Sequence, residues 1–224
     1  METSAAGLPP GSPIGMIAEH VVTDITVLMV PGWAGSGPLH WQTIWERRYP
    51  DCRRIALMDW RSVDRADWVA AVERSFLSFS GEVVLVAHSL GCLAVAWWAS
   101  SRFSSRQRVR GAMLVAPPDL GAAPGRLPAL ASFLPVPPGK LPFPSVVVAS
   151  ENDPYATAEA TASMADGWGS RFVNAGAAGH INVDSGHGQW PEGHRYLQRL
   201  IANFEPSAGG NNRVMAEAAR GRQM

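Results

Sequence analysis

Apolar positions along the chain fall into short continuous runs that alternate with stripes of helical spacing. Ile25–Val30 is an apolar, β-branched run closed by Pro31 and Gly32, and it predicts a strand. Residues 38–48 place Trp41, Ile44 and Trp45 at helical spacing, and 54–58 form a second strand candidate. Residues 65–78 set Trp68, Val69, Val72 and Phe76 on one helical face. Residues 83–87 are apolar throughout and end just before Ser89. The following segment, 90–100, is apolar almost all round and predicts a buried helix. Two further strands are expected at 113–116 and 146–149, an Ala-rich helix at 155–166, and a last short strand at Arg171–Asn174. The final helix is expected over 191–204, with Pro191 in its first turn and Tyr196, Leu197, Leu200, Ile201 and Phe204 inward.

Strands that are apolar on both faces and alternate with helices predict an α/β fold with three layers, a mostly parallel sheet covered by helices on each side. A single domain is expected over 21–205, with a loosely ordered arm at 1–20 and a disordered tail at 206–224. The long irregular stretch 117–144 lies between two core strands and contains nine prolines, including Pro117, Pro118, Pro137 and Pro138. It is expected as a surface excursion rather than a full cap domain, because proline breaks helix interiors.

The segment that ends the third strand run carries the chemistry: Ala87-His88-Ser89-Leu90-Gly91. A serine between a buried strand and a helix is held in a strained turn that exposes its hydroxyl, with small residues required two before and two after it. Ala87 and Gly91 meet that need, Ala87 standing where glycine is usual. Ser89 is therefore the expected nucleophile, an N-cap role being compatible with it. The Leu90 main-chain N–H would face the reacting carbonyl oxygen. The second oxyanion donor is expected in Pro31-Gly32-Trp33-Ala34-Gly35-Ser36-Gly37, from the Trp33 main chain. That loop lacks the lysine of a phosphate-binding loop. His88 has two readings, a pocket wall or a side chain that satisfies a backbone carbonyl beside the turn.

In this fold an acid and then a histidine follow the serine along the chain. Asp153, in Ser150-Glu151-Asn152-Asp153-Pro154-Tyr155, follows a strand and precedes a helix, as a triad acid should. Asp119 is its rival, and a helix cap is the plainer role for Asp153. His180, in the loop after the last strand, is preferred as base over His187 and His194, the last expected on the surface of the final helix.

Composition narrows the partners. Basic and acidic residues balance at 19 each, with no basic run, so neither nucleic acid nor an anionic membrane is an expected partner. No apolar stretch reaches the roughly 18 residues of a membrane span, and the N-terminus lacks the pattern of a secretory leader. Two cysteines, Cys52 and Cys92, read as free thiols, so the expected location is cytoplasmic. No metal site or cofactor is expected, since clustered histidines with distant cysteines lack zinc-ligand spacing.

Five motifs in order (Pro31 to Gly37 followed by His40-Trp41-Gln42, then Asp59-Trp60, His88 to Gly91, Asp153 to Tyr155, and Gly179-His180) resemble the RBBP9/YdeN group of small serine hydrolases over about residues 25–204. The resemblance implies an α/β-hydrolase fold, a Ser89–Asp153–His180 triad and cleavage of small ester-like substrates. His40 and Trp60 match family positions and are expected at the pocket rim or in the core, with Gly32 and His88 beside the substrate. Two alternatives remain open at this stage: a non-catalytic protein-binding module on the same scaffold, and a small peptidase or amidase acting on an amide.

Overall fold

The computed structural model describes residues 25–101, 107–121 and 128–203. The arm at 1–20, the tail at 206–224 and Phe204 lie outside the described residues. Six strands form one sheet in the order β2-β1-β3-β4-β5-β6, and every pairing is parallel. They are β1 (Ile25–Val30), β2 (Cys52–Arg54), β3 (Glu82–His88), β4 (Val109–Val115), β5 (Ser145–Ala149) and β6 (Arg171–Asn174). The helices are α1 (Trp41–Arg48), α2 (Arg65–Leu77), α3 (Leu90–Ser100), α4 (Ala158–Trp168) and α5 (Pro191–Ala202). This is the α/β-hydrolase architecture.

Two strands differ from expectation. The second lies at Cys52–Arg54 rather than 54–58, because an edge strand buries only part of its length and its polar residues Arg53 and Arg54 take the pairing with β1. The fourth begins at Val109, four residues before the apolar run, since β3 on one side pairs with it at Val109, Gly111 and Ala112, the register shifting past Arg110. The stretch from 117 to 144 contains one short 3₁₀ turn, Pro128–Phe133, among its described residues. Among the described residues no helix is long and apolar enough to cross a membrane. Both cysteines are free and buried.

Alternation along the strands splits the core in two. Leu28, Val30, Leu85, Ala87 and Leu114 pack with Trp68, Phe76, Trp98 and Trp168 of α2, α3 and α4. Met29, Val84, Val86, Met113 and Val115 pack on the opposite face with Trp41 and Trp45 of α1 and Leu197 and Leu200 of α5. Successive strands step outward to one side of β1 as far as β2 and to the other from β3 to β6. The carboxyl ends of β1 and β3 therefore flank the topological switch point, where open α/β sheets form their crevices.

Candidate active site

Ser89 stands in that crevice, on the turn from β3 into α3. Its backbone has φ 54° and ψ −127°, a conformation L-residues rarely adopt. Two glycines make room for it. A Cβ on Gly32 would lie 2.7 Å from the Ser89 Cβ, and one on Gly91 would lie 2.3 Å from the Val30 carbonyl oxygen. The small residue demanded at 91 is thus explained by the end of β1 passing against the start of α3.

Ser89 Oγ lies 2.9 Å from His180 Nε2. His180 Nδ1 lies 2.9 and 3.0 Å from the two carboxylate oxygens of Asp153. A carboxylate only accepts, so Nδ1 carries the proton and Nε2 is left to accept from the serine hydroxyl. Asp153 comes from the loop after β5 and His180 from the loop after β6. Adjacent parallel strands bring these loops together, and side chains lace them: Ala178 N–H donates to Ser150 Oγ at 2.9 Å and Gly179 N–H to Asn152 Oδ1 at 2.6 Å. Asp153 Oδ1 also accepts the Tyr155 N–H at 2.9 Å, which fixes the carboxylate from behind. Trp41 Nε1–H donates to the Ile181 carbonyl at 2.9 Å and anchors the histidine loop to α1.

The rival residues lie in other interactions. Asp119 Oδ1 accepts the Gly121 N–H, Glu151 bonds Asn174, and His187 Nδ1 meets Ser185 Oγ. His194, expected on the surface, is half-buried: its ring stacks on Tyr49 with centroids 4.4 Å apart and meets Trp45 edge-on, because one side of α5 lies against α1.

Trp33 and Leu90 line the same crevice, and their main-chain N–H groups donate to no group among the described residues. The loop carrying Trp33 is held by buried polar bonds. Ser36 Oγ donates to Gln42 Oε1 at 2.6 Å, and Gln42 Nε2–H donates to Val30 and Val86 carbonyls at 3.4 and 3.1 Å. The Ser36 carbonyl accepts from Thr43 Oγ1 and Arg54 Nη1. Gln42 thus ties the loop to the ends of both strands that flank the crevice.

The cavity above Ser89 has a volume of about 230 Å³. Gly32, Trp33, His40, His88 and Leu90 line it with Ser89 and His180. Gly35, Pro118, Leu130, Tyr155 and Asn182 complete the lining; Pro118 and Leu130 belong to the 117–144 stretch, whereas Tyr155 and Asn182 were given no place in the pocket from the sequence. The Tyr155 and Asn182 positions could have been read from it, since each lies two residues beyond Asp153 or His180. Trp60 is not among the lining residues: it packs under Gly35 and edge-on to Trp68. His40 is 5% exposed and belongs to the floor rather than the rim. It caps α1, its Nδ1 accepting the Gln42 N–H at 3.2 Å. Burial foremost, with the Arg54 guanidinium and His180 adding to it, pushes its pKa down to about 4. His88 fills both expected places, a pocket wall and a carbonyl partner, since Nε2–H donates to the His180 carbonyl at 2.9 Å. Burial holds its pKa well below the ordinary histidine value.

A larger cavity, about 310 Å³, opens at the opposite, amino-terminal ends of β5 and β6. Its serine, Ser145, bonds Ser170 and no described histidine lines the cavity, so it is the smaller one that holds the Ser89–His180–Asp153 arrangement. Among the described residues no group of three or more histidine, cysteine or carboxylate side chains could hold a metal ion.

A family model described as serine hydrolase matches residues 27–199. The chain is similar to a YdeN-like hydrolase of Pectobacterium atrosepticum, with 31% identity, a TM-score of 0.73, and coverage of 81% of this chain and 93% of that one. The ydeN gene product of Bacillus subtilis superposes with a TM-score of 0.64 at 20% identity, covering 79% and 98%. A thermophilic esterase of Thermogutta terrifontis shares the fold at 17% identity and a TM-score of 0.55, covering 80% and 90%. No curated protein matches the chain.

Proposed function

The chain belongs to the serine hydrolases of the RBBP9/YdeN type, and from that premise we propose that it cleaves small esters through an acyl-enzyme on Ser89. The observation that carries the reading is the unbroken line of hydrogen bonds from Ser89 Oγ through His180 to Asp153. Ser89 Oγ attacks the substrate carbonyl carbon while its proton passes to His180 Nε2. Asp153 holds the ring by Nδ1 and stabilises the imidazolium that forms. The negative oxygen of the tetrahedral intermediate is received by the Trp33 and Leu90 N–H groups. His180 returns the proton to the departing alcohol. Water then enters by the same steps in reverse and releases the acid and free Ser89.

Substrate size follows from the cavity. Its 230 Å³ lies below the roughly 300–1,000 Å³ of pockets that enclose drug-sized ligands. Among the described residues the 117–144 stretch offers one short 3₁₀ turn with which to wrap a long acyl chain. Each methylene that finds no apolar wall forfeits about 0.8 kcal/mol. A series of p-nitrophenyl esters is expected to show kcat/KM highest for short acyl groups. A rise continuing to long chains would contradict this. A fluorophosphonate probe should label the protein at Ser89, and labelling that persists in Ser89→Ala would refute the nucleophile. A folded protein that takes no label would favour a binding module, and faster turnover of matched amides a peptidase or amidase.

A further inference from the structure

Gln42 is fully buried where β1 and β3 end, and its amide has one possible orientation. Nε2 meets the backbone carbonyls of Val30 and Val86 at 3.4 and 3.1 Å, and these can only accept, so the NH2 group occupies that side. Oε1 is then left to accept from Ser36 Oγ at 2.6 Å. The three partners stand in the same relation to the groups assigned to the reaction. Val30 and Ser36 lie three residues before and three after Trp33, and Val86 lies three before Ser89. One side chain thus grips both ends of the loop that carries Trp33 and the strand that delivers Ser89.

That loop needs such support. Ala34 and Gly35 follow one another at positive φ, 64° and 74°, which is strained for alanine. Its other bonds run elsewhere. Ala34 N–H donates to the Trp60 carbonyl at 2.9 Å and the Trp33 indole N–H to the Arg61 carbonyl at 3.3 Å. Thr43 Oγ1 and Arg54 Nη1 donate to the Ser36 carbonyl. None of these four bonds reaches β3, whereas the Gln42 amide does. Resting on the reading of Ser89 as nucleophile, we propose that Gln42 is a positioning residue that sets the spacing of the Trp33 main-chain N–H from Ser89. It acts on the oxyanion rather than on the bound substrate. A donor stabilises the tetrahedral intermediate only where it meets the negative oxygen, and a displacement of about 1 Å costs about a hundredfold. Without the amide, Thr43 and Arg54 still hold Ser36, so the loss falls on kcat more than on folding.

Gln42→Met keeps the length of the side chain and removes its donors and its acceptor. Ser36→Ala removes only the bond between loop and amide. Turnover of p-nitrophenyl acetate is read per active site, the sites being counted by the final extent of fluorophosphonate labelling. Gln42→Met is expected to lower kcat by about tenfold to a hundredfold with KM within about twofold, and Ser36→Ala to lower it by about threefold to tenfold. Adding Ser36→Ala to Gln42→Met should cost nothing further, since the shared bond is already gone. A trifluoromethyl ketone reports the oxyanion directly. Ser89 Oγ adds to its carbonyl carbon, the hydroxyl proton passes to His180 Nε2, and the carbonyl oxygen takes the negative charge. Its inhibition constant should rise by the factor by which kcat falls. Unchanged kcat per site in Ser36→Ala overturns the proposal even if Gln42→Met fails to fold. A lowered kcat with unchanged ketone inhibition overturns it too. A wild type that takes no label at Ser89 rejects the nucleophile reading, whereas labelled protein with unaffected variants rejects the role of Gln42 alone.

Discussion

Among the described residues one face of the sheet buries six large aromatic side chains and the other three, and the two sets are used differently. On the α2–α3–α4 face, Trp68, Trp97 and Trp168 donate their indole N–H groups to carbonyls of Ser62, Phe133 and Pro137, and Trp98 donates to Glu73. These bonds fasten structural loops. On the α1–α5 face the indoles of Trp41 and Trp45 donate to Ile181 and Gln189, in the loop that carries His180. The five described histidines gather on this second side, interleaved with Trp41, Trp45 and Trp190. Amphipathic rings suit that position, because they fill a core and still offer polar atoms to loops and ligands. One face therefore supplies mainly stability, while the other couples stability to the proposed reacting groups.

The largest effect should come from separating the histidines of that second face. His180→Ala is expected to lower kcat/KM by about a thousandfold or more, while His187→Ala stays near wild type. Asp153→Asn should likewise fall by orders of magnitude and Asp119→Asn should not. Steady-state kinetics on a short p-nitrophenyl ester measure all four. Near-normal turnover in His180→Ala with an inactive His187→Ala would exchange the two roles.

The complementary test addresses the other face. Phe76 is fully buried between Trp98 and the Arg108 guanidinium, on the side away from the crevice. Phe76→Ala should cost about 3–5 kcal/mol of unfolding free energy by denaturant titration. The fraction that remains folded should keep the wild-type kcat. A fall in kcat beyond the folded fraction would show that the two faces are not separable in this way.

Acid should act on the histidine face before it touches the other. His40, with its pKa lowered to about 4, stays neutral in the folded protein over a range where the unfolded chain, near 6.5, binds a proton. Stability is thus fully present above about pH 6.5 and declines as pH falls toward 4, by about 3 kcal/mol from His40 alone. His88 shifts in the same direction and adds to the loss. Chemical denaturation at steps between pH 7 and 5 should show the decline, shallower in His40→Asn. An equal decline in that variant would assign the effect to other groups.

Most of the layer order could be read from the apolar runs, because strands buried on both faces leave little choice of side. Parity along β3 even places His88 with Val84 and Val86 on the α1–α5 face. Ser89, Asp153 and His180 were legible for the same reason: each follows a strand whose end is marked by a change from apolar to small or polar residues. What escaped depends on contacts distant in sequence. Cys52–Arg54 pairs as an edge strand although it is mostly polar, since the β1 ladder outweighs pattern there. Trp60, a neighbour of the crevice in sequence logic, is drawn under Gly35 by Trp68. Which carbonyl His88 bonds also escaped, because His180 lies 92 residues away along the chain.

The smallest expected effect is also the sharpest comparison, because the same bond can be deleted on both faces. Trp41→Phe removes the N–H that binds the Ile181 carbonyl at 2.9 Å, and Trp68→Phe removes the one that binds Ser62 at 2.8 Å. Both indoles are buried, and each deletion leaves a carbonyl without its donor, at a cost of about 1–3 kcal/mol. Denaturant titration should therefore find the two variants similarly destabilised. Their kinetics should differ. Ile181 follows His180 and has a φ of 48°, so the histidine loop relies on outside support to hold its backbone. Without the Trp41 anchor, His180 Nε2 spends less time within reach of Ser89 Oγ, and kcat should drop about tenfold with little change in KM. Ser62 follows Trp60 and Arg61, whose carbonyls accept from the Ala34 N–H and the Trp33 indole, but its own carbonyl supports no loop that carries Asp153 or His180, so Trp68→Phe should lower kcat far less than Trp41→Phe once the folded fraction is accounted for. Equal kcat in the two variants would mean that the laced Asp153 and His180 loops hold their geometry alone, and that the difference between the faces ends at the histidines.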